Sequence, residues 1–159
     1  MATEHIFEGN LLWTGTAKET DGKLALERDV LLEFAGKGPI AGSSPAVFKG
    51  DDSKHNPETL MLASLVACHH LTYVSLLERS GIRLMAYTDR AVGRLAMKDG
   101  KMRYVEVVLH PQVTVADAAQ IARATQLHET AHANCFMANS VNFEVRVEPT
   151  VTAPEHPAA

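Results

Sequence analysis

The chain has 159 residues and a mass of 17.3 kDa, which is the size of one ordinary domain with a real core. A hydrophobic fraction of 46% and a mean hydropathy of -0.06 are typical of a soluble globular protein and exclude a disordered one. Fifteen Lys and Arg residues against nineteen Asp and Glu residues give a net charge of -4, so no basic surplus favours a nucleic acid as partner.

The apolar segments are short, and the N-terminus lacks the pattern of an export signal. The longest apolar runs fall far short of a membrane span, and residues 1–20 have no basic segment followed by an apolar one. We therefore expect a cytoplasmic protein with no membrane partner. Stable structural disulfides are uncommon in that compartment, so the two cysteines, Cys68 and Cys135, require another explanation.

The first third of the chain predicts β-strands and one long loop. Clustered or alternating apolar residues indicate strands over residues 5–15 and 24–34, joined by a turn at residues 20–23. In the second strand Arg28 falls on the mostly apolar face, which is unusual for an arginine. Residues 35–55 are rich in glycine, proline and polar residues, and predict a long loop of the kind that is often functional.

A long apolar helix follows. Residues 56–58, Asn-Pro-Glu, supply a favourable N-cap, a proline suited to the first helical position and a glutamate that complements the helix dipole. We expect the helix to run to about Ser80, with Gly81 as its stop. From residue 60 to residue 68 every residue except Ser64 is apolar, which predicts burial on nearly all sides. Since a monomer of this size has difficulty covering such a helix, burial against a partner subunit is the simpler solution.

The rest of the chain alternates strands with one more helix. Four elements are predicted in order: strands over residues 83–98 and 101–114, a helix from after Thr114 to about His128, and a strand over residues 141–147. The pair Asp99-Gly100 between the first two strands is one of the better hairpin signals in a sequence. Asp117 completes an acidic capping pattern at the start of the helix.

This order of elements predicts an α+β domain. Runs of antiparallel strands with helices packed on one side define that class, here as one domain over residues 1–149. Residues 150–159 contain two prolines and no large apolar group, so we expect a flexible C-terminal tail.

The two cysteines lie in different surroundings. Cys68 is on the buried helix, where burial raises a thiol pKa, so a reactive Cys68 needs a nearby cation or a strong hydrogen-bond donor. Asn134 can cap a short helical turn that starts at Cys135, and a sulfur near a helix N-terminus favours the thiolate. Spacing alone leaves open that both are inert small hydrophobic residues, as buried free cysteines usually are.

Two segments around the cysteines resemble those of a known family. NPETLMLASLVACHHL at residues 56–71 and NCFMANSV at residues 134–141 resemble the signature segments of the OsmC/Ohr family, and the separation of the two cysteines is also similar. GSSPAVFKGD at residues 42–51 resembles one branch of OsmC-like proteins. The resemblance covers most of residues 5–149.

The resemblance implies an OsmC-like fold in which antiparallel sheets enclose long central helices in an intertwined homodimer. It implies a thiol peroxidase that reduces organic hydroperoxides, and more weakly hydrogen peroxide, with no bound cofactor or metal. Carried onto this sequence, Cys68 is the peroxidatic cysteine that becomes a sulfenic acid, and Cys135 is the resolving cysteine that closes the disulfide. A dithiol of the lipoyl type is the expected reductant.

The same resemblance implies two charged site residues. Glu58 is the carboxylate of the Asn-Pro-Glu motif, and Arg28 is our match for the arginine that activates the first cysteine. Lys18 is the other N-terminal candidate, but lysine lacks the bidentate fork that clamps a carboxylate. Arg28 is equally compatible with a surface cation at a sheet edge, and Glu58 with a residue that only complements the helix dipole.

Helical geometry places Glu58 away from Cys68 of its own chain. Ten residues separate them, which is ~15 Å along the axis and ~80° around it. If two central helices pack antiparallel across a two-fold axis near Ala63, Glu58 approaches Cys68 of the partner subunit.

Two other functions stay open. The histidines at positions 69, 70, 128 and 132 could bind zinc together with the cysteines, but consecutive helical residues point ~100° apart, so their spacings make a metal site the least favoured alternative. A non-catalytic protein of the same fold that binds a small ligand in a stress response is the main alternative to a peroxidase.

Overall fold

The computed structural model describes residues 4–154 and divides the chain into two compact units between Leu60 and Met61. The described residues of the first unit, 4–60, form five short strands: β1 (Asn10–Trp13), β2 (Ala17–Thr20), β3 (Lys23–Leu26), β4 (Val30–Glu33) and β5 (Ile40–Gly42). They form an antiparallel sheet in the order β1-β4-β5 and a separate β2-β3 hairpin. The turn predicted at residues 20–23 is confirmed, with Asp21 and Gly22 both at positive φ, but the strand that enters it is β2, which was not predicted.

The predicted strand over residues 24–34 is wrong, because it is two strands. The chain changes partner at residues 27–29, since β3 pairs with β2 whereas β4 pairs with β1. Arg28 therefore lies in the connection between two strands rather than on the apolar face of one. The predicted loop over residues 35–55 also contains structure, namely β5 and a 3₁₀ helix at Ala46–Phe48.

The first unit buries very little of its own surface. Among its residues whose burial is described, only Gly42 and Ser43 are buried. Its large apolar side chains are exposed instead: Ile6, Phe7, Leu11, Leu12, Trp13, Leu24, Leu26, Val47 and Phe48. Exposed apolar area on this scale is typical of a surface that a further molecule covers.

The long helix α1 is Pro57–Arg79 and begins and ends where the sequence predicts. Asn56 Oδ1 accepts a hydrogen bond from Thr59 N at 2.8 Å, which is the expected N-cap. At the other end Gly81 adopts positive φ, and Ile82 N donates to Leu77 O at 3.0 Å, as in a Schellman motif.

In a single chain residues 60–68 are not buried on nearly all sides, since Met61 and Ala67 are exposed, and the expected burial against a partner subunit stays a prediction. One stripe is buried, formed by Leu65, His69, Tyr73 and Leu77 at four-residue spacing, while Leu71 on another face is 67% exposed. By length and composition alone α1 could also span a membrane, with a mean hydropathy of 1.6 over 18 residues, although the core helices of soluble proteins meet the same criterion. Here its stripe packs into the core of the second unit.

A mixed sheet forms the body of the second unit. Its strands are β6 (Leu84–Lys98), β7 (Lys101–Val115), β8 (Glu144–Val147) and β9 (Thr150–Thr152). The predicted β6-β7 hairpin is confirmed, with Asp99 and Gly100 at positive φ in its turn. β8 and β9 pair parallel to β7, whereas only antiparallel strands were predicted. The helical crossover at residues 116–143 returns the chain to the end of the sheet where β7 begins, and this makes the parallel pairing possible.

The crossover holds a 3₁₀ helix (Ala118–Gln120), α2 (Ile121–Ala133) and α3 (Phe136–Asn139). The predicted capping pattern completed by Asp117 is wrong, because Thr114 lies in β7 and Asp117 is itself the N-cap of the 3₁₀ helix, where its Oδ1 accepts from Ala119 N at 2.8 Å. The helix also continues past His128. The predicted strand over residues 141–147 begins only at Glu144.

The expectation of a tail over residues 150–159 is wrong for its first part. Residues 150–152 form β9, because Val151 packs on the core and its backbone pairs with β7. The remainder of the predicted tail, residues 155–159, lies outside the described residues.

The core of the second unit lies between α1, α2 and the sheet. One buried cluster joins Tyr73 and Leu77 of α1 to Val113 of β7 and to Ala124 and Leu127 of α2. A second cluster joins α1 to the first half of β7, through Leu65, Val107 and Leu109. These contacts fix α1 and α2 against the same strand, and each of these two helices leads to one of the cysteines.

Candidate functional site

The sulfur atoms of both cysteines contact the first turn of α3. Cys135 is the N-cap of this helix, and its Sγ accepts a hydrogen bond from Ala138 N at 3.4 Å. Cys68 Sγ, on α1, accepts from Met137 N at 3.5 Å. The fold thus brings together two sulfurs that are far apart in the sequence. The expectation that Asn134 caps this turn is wrong, because Asn134 ends α2 and Cys135 itself is the cap.

The two sulfurs differ in exposure. Both are free thiols; Cys68 is half-buried and Cys135 is 1% exposed. Burial, together with a hydrogen bond to Cys68, raises the pKa of Cys135 to about 11, although the N–H of Ala138 acts in the opposite direction. The helix position was expected to favour a Cys135 thiolate, and that expectation is wrong because desolvation outweighs the N–H groups. Cys135 is therefore a protonated thiol at neutral pH.

The structure shows a histidine pair between α1 and α2 that the sequence did not predict. His69 Nε2 and His128 Nδ1 are 3.0 Å apart, and the two side chains are 1% and 2% exposed. The ring of Tyr73 stacks on His128 with centroids 3.8 Å apart. Burial lowers the pKa of His69 to about 4 and that of His128 to about 3, so both rings are neutral at physiological pH.

Because these rings are neutral, the histidine pair does not provide a positive charge that would activate Cys68. An imidazolium beside a thiol lowers its pKa, but His69 supplies no positive charge at neutral pH. His69 and His128 each have one ring nitrogen in the hydrogen bond between them. In the described part of the chain no group of three or more His, Cys, Asp or Glu residues could hold a metal ion. The zinc alternative therefore finds no site in the described residues.

The two charged candidates, Arg28 and Glu58, belong to the first unit. Arg28 is exposed and donates from Nη1 to Leu26 O at 3.2 Å. It borders a largely apolar pocket of about 270 Å³, lined by Leu11, Arg28, Val30, Leu32, Gly42, Ser43, Ser44, His55, Pro57 and Leu60. Glu58 Oε2 is buried. Lys18 is engaged by Glu27 at 2.8 Å, and so its ammonium already has a carboxylate partner.

The α+β fold, with one cysteine on a long helix and a second at the N-cap of a short helix, places the chain in a class of proteins with two adjacent thiols. The comparisons with known proteins give that class its name. The OsmC-like protein family matches residues 50–150, which include both cysteines. The chain belongs to this family.

Individual relatives agree with this assignment. A solved OsmC-like protein of unknown function from Vibrio cholerae is 30% identical and superposes with a TM-score of 0.81, over 92% of this chain and 100% of that one. An organic hydroperoxide resistance protein from Elizabethkingia anophelis shares the fold at 24% identity, with a TM-score of 0.63 over 90% and 98% of the two chains. The uncharacterized protein YmaD of Bacillus subtilis is 25% identical over 114 residues, 69% of this chain and 76% of that protein.

Proposed function

We propose that this protein is a thiol peroxidase that reduces organic hydroperoxides. The observation that carries the proposal is the juxtaposition of Cys68 and Cys135 at the first turn of α3, both as free thiols. Membership of the OsmC-like family and the shared fold with an organic hydroperoxide resistance protein support it. Two adjacent thiols, one more exposed than the other, are what a peroxide reduction that ends in a disulfide requires.

The first step takes place at Cys68, the more exposed of the two sulfurs. Its thiolate attacks the terminal, hydrogen-bearing oxygen of the hydroperoxide, the O–O bond breaks, and the leaving alkoxide takes a proton from water to become the alcohol. Cys68 is thereby oxidised by two electrons to a sulfenic acid. The N–H of Met137, which already points at Cys68 Sγ, stabilises negative charge on that sulfur before the attack.

The second step joins the two sulfurs. Cys135 attacks the sulfenic sulfur of Cys68, the S–O bond breaks, and the hydroxide that leaves combines with the proton lost by Cys135 to form water. The product is a disulfide between the two residues. An external dithiol, which we propose to be of the lipoyl type, reduces it by thiol-disulfide exchange and becomes a disulfide itself. No cofactor or metal takes part in this cycle.

We propose that the active form is a homodimer. The first unit exposes most of its apolar side chains, and α1 exposes Leu71 on a face outside its buried stripe and Met61 one turn before that stripe begins. A second copy of the chain is the occupant that would cover both surfaces symmetrically. In this dimer Glu58 and Arg28 act on Cys68 of the partner subunit, and Arg28 provides the positive charge that His69 does not carry.

Thiol titration combined with two serine variants tests the peroxidase. With equimolar cumene hydroperoxide, the wild-type protein should lose both thiols, form an intramolecular disulfide and release one equivalent of alcohol. Cys135→Ser should still consume one equivalent and stop at a Cys68 sulfenic acid, which only excess hydroperoxide oxidises further. Cys68→Ser should consume none, and it is the matched control because Cys135 remains present.

The same experiment separates the peroxidase from a non-catalytic ligand-binding protein. Unchanged thiols in the wild-type protein after an excess of hydroperoxide would refute the proposed function and favour the binding protein. Full turnover by Cys68→Ser with a lipoyl dithiol would refute the assignment of Cys68.

A further inference from the structure

The histidine pair forms a bridge between the two cysteine-bearing parts of the second unit. We call the hydrogen bond between His69 Nε2 and His128 Nδ1, 3.0 Å long, the histidine bridge. His69 directly follows Cys68 on α1. His128 lies on α2, seven residues before Cys135, which is the N-cap of α3. The bridge therefore joins α1 immediately beside one cysteine to the helix that carries the chain to the other.

The bridge is held rigidly by its surroundings. Tyr73, one turn after His69 on α1, stacks on the ring of His128 with 14° between the planes. The hydroxyl of Tyr73 donates to Ala124 O of α2 at 3.1 Å. Two successive turns of α1 are thus bonded to two successive turns of α2. A shift of α2 along α1 would break both hydrogen bonds in a buried environment, where an unpaired polar group is costly.

Chemistry favours a positioning role for the bridge over an acid-base role. Two neutral imidazoles share one proton in such a bond, so one ring donates and the other accepts. Protonation of either ring is opposed by burial, which lowers the pKa of both histidines. A ring that resists protonation is a poor base for the Cys135 thiol, so what the pair provides is fixed geometry.

We propose that the histidine bridge positions Cys135 for its attack on the Cys68 sulfenic acid. The proposal rests on the peroxidase function, and it assigns His69 and His128 as positioning residues for disulfide closure. Closure requires the attacking sulfur within reach of, and in line with, the S–O bond that breaks. Cys135 is buried and its position depends on where α2 ends, so a displaced α2 slows closure while the reaction of Cys68 with hydroperoxide continues.

The consequence for the cell is a choice between two fates of the sulfenic acid. Prompt closure gives a disulfide that a dithiol can reduce. Slow closure leaves Cys68 exposed to a second hydroperoxide, which converts the sulfenic acid to an irreversible sulfinic acid. The bridge is therefore inferred to protect the enzyme from inactivation by its own substrate.

Two substitutions of His128 distinguish the effect of the hydrogen bond from the effect of side-chain packing. His128→Asn places an amide where Nδ1 lies and can retain the bond, whereas His128→Leu keeps much of the volume and removes it. We expect His128→Leu to slow disulfide closure by about 10- to 100-fold, with the rate of Cys68 oxidation changed by less than about twofold. His128→Asn is expected to restore most of the closure rate. Both steps are followed by rapid-quench alkylation and intact-mass measurement with cumene hydroperoxide.

Two further variants keep the test decisive. If His128→Leu does not fold, the double variant His69→Leu/His128→Leu removes both polar partners together and leaves no unpaired nitrogen in the bridge. Leu127→Ala, at a neighbouring buried position of α2 outside the bridge, is the matched control for general loosening of the helix. We expect Leu127→Ala to lower stability with less effect on closure than His128→Leu.

The pH profile distinguishes positioning from an effect on Cys135 ionisation. A positioning role lowers the closure rate by the same factor at every pH, whereas a changed Cys135 pKa would shift the profile along the pH axis. The inference is overturned if His128→Leu closes the disulfide at the wild-type rate, if Leu127→Ala slows it equally, or if the profile shifts. If wild-type Cys68 does not react with hydroperoxide, the proposed function fails first, which is a distinct result.

Discussion

Acidification is expected to destabilise the folded chain through the two buried histidines. In the unfolded chain each histidine titrates near 6.5, whereas in the fold the pKa is about 4 for His69 and about 3 for His128. The unfolded chain therefore binds more protons below about pH 6.5, and stability is lost as pH falls through that range. Lowering the pH from about 7.5 to about 5 costs about 2 kcal/mol for each histidine, since 1.5 pKa units correspond to ~2 kcal/mol.

Urea unfolding at fixed protein concentration measures this effect. A total loss of about 4 kcal/mol moves the urea midpoint by about 2 M if the slope is near 2 kcal/mol per M. Asp89 works in the opposite direction, because burial raises the pKa of its carboxyl, and the comparison therefore needs a variant in which only the two histidines are changed. The double variant His69→Gln/His128→Asn carries amides at both bonding positions and does not titrate.

The double variant shows whether the two histidines cause the loss of stability at low pH. We expect it to lose about 4 kcal/mol less stability than the wild-type protein over the same pH interval. An equal loss in both proteins would refute the reasoning, because the pH dependence would then come from other groups. The effect is also expected to be fully reversible on return to about pH 7.5, since protonation is an equilibrium.

Three further predictions concern single groups. The closure rate should rise about tenfold per pH unit from about pH 7 to about pH 9, because the Cys135 pKa of about 11 leaves little thiolate at neutrality; a flat profile in rapid-quench alkylation would contradict this. Tyr73→Phe removes a buried hydrogen bond and should cost about 1 to 2 kcal/mol in urea unfolding. Gly50→Ala should lower the melting temperature, because its Cβ would lie 1.7 Å from a backbone oxygen, whereas Gly38→Ala, which meets nothing within 4 Å, should not.

Local signals in the sequence were enough to predict α1 and the long β6-β7 hairpin. The capping residue Asn56 and the stop at Gly81 gave both ends of α1, and the Asp99-Gly100 pair gave the long hairpin, because each depends only on neighbouring residues. The break at residues 27–29 was missed because it depends on which strand each half pairs with. The parallel strand β9 was missed for the same reason, since its partner lies almost 40 residues earlier.

The site was predictable in part. The sequence segments around Cys68 and Cys135 indicated a shared site. The burial that keeps Cys135 protonated could not be predicted, because it depends on tertiary packing. His69 lies at four-residue spacing within the buried stripe of α1, and this signal could have predicted its burial. Its bond to His128 could not be predicted, because it joins residues 59 positions apart.

β7 is the central strand of the sheet in the second unit. It has β6 along one edge and β8 and β9 along the other, so over residues 106–109 and 112–114 a partner strand lies on each side of it. Amide hydrogens of Val107, Leu109 and Val113, at buried positions of this strand, should exchange with deuterium only when the whole unit opens. α1, which carries Cys68, and α2, which leads to Cys135, pack on this strand, and their alignment should therefore persist until the last cooperative element of the unit unfolds.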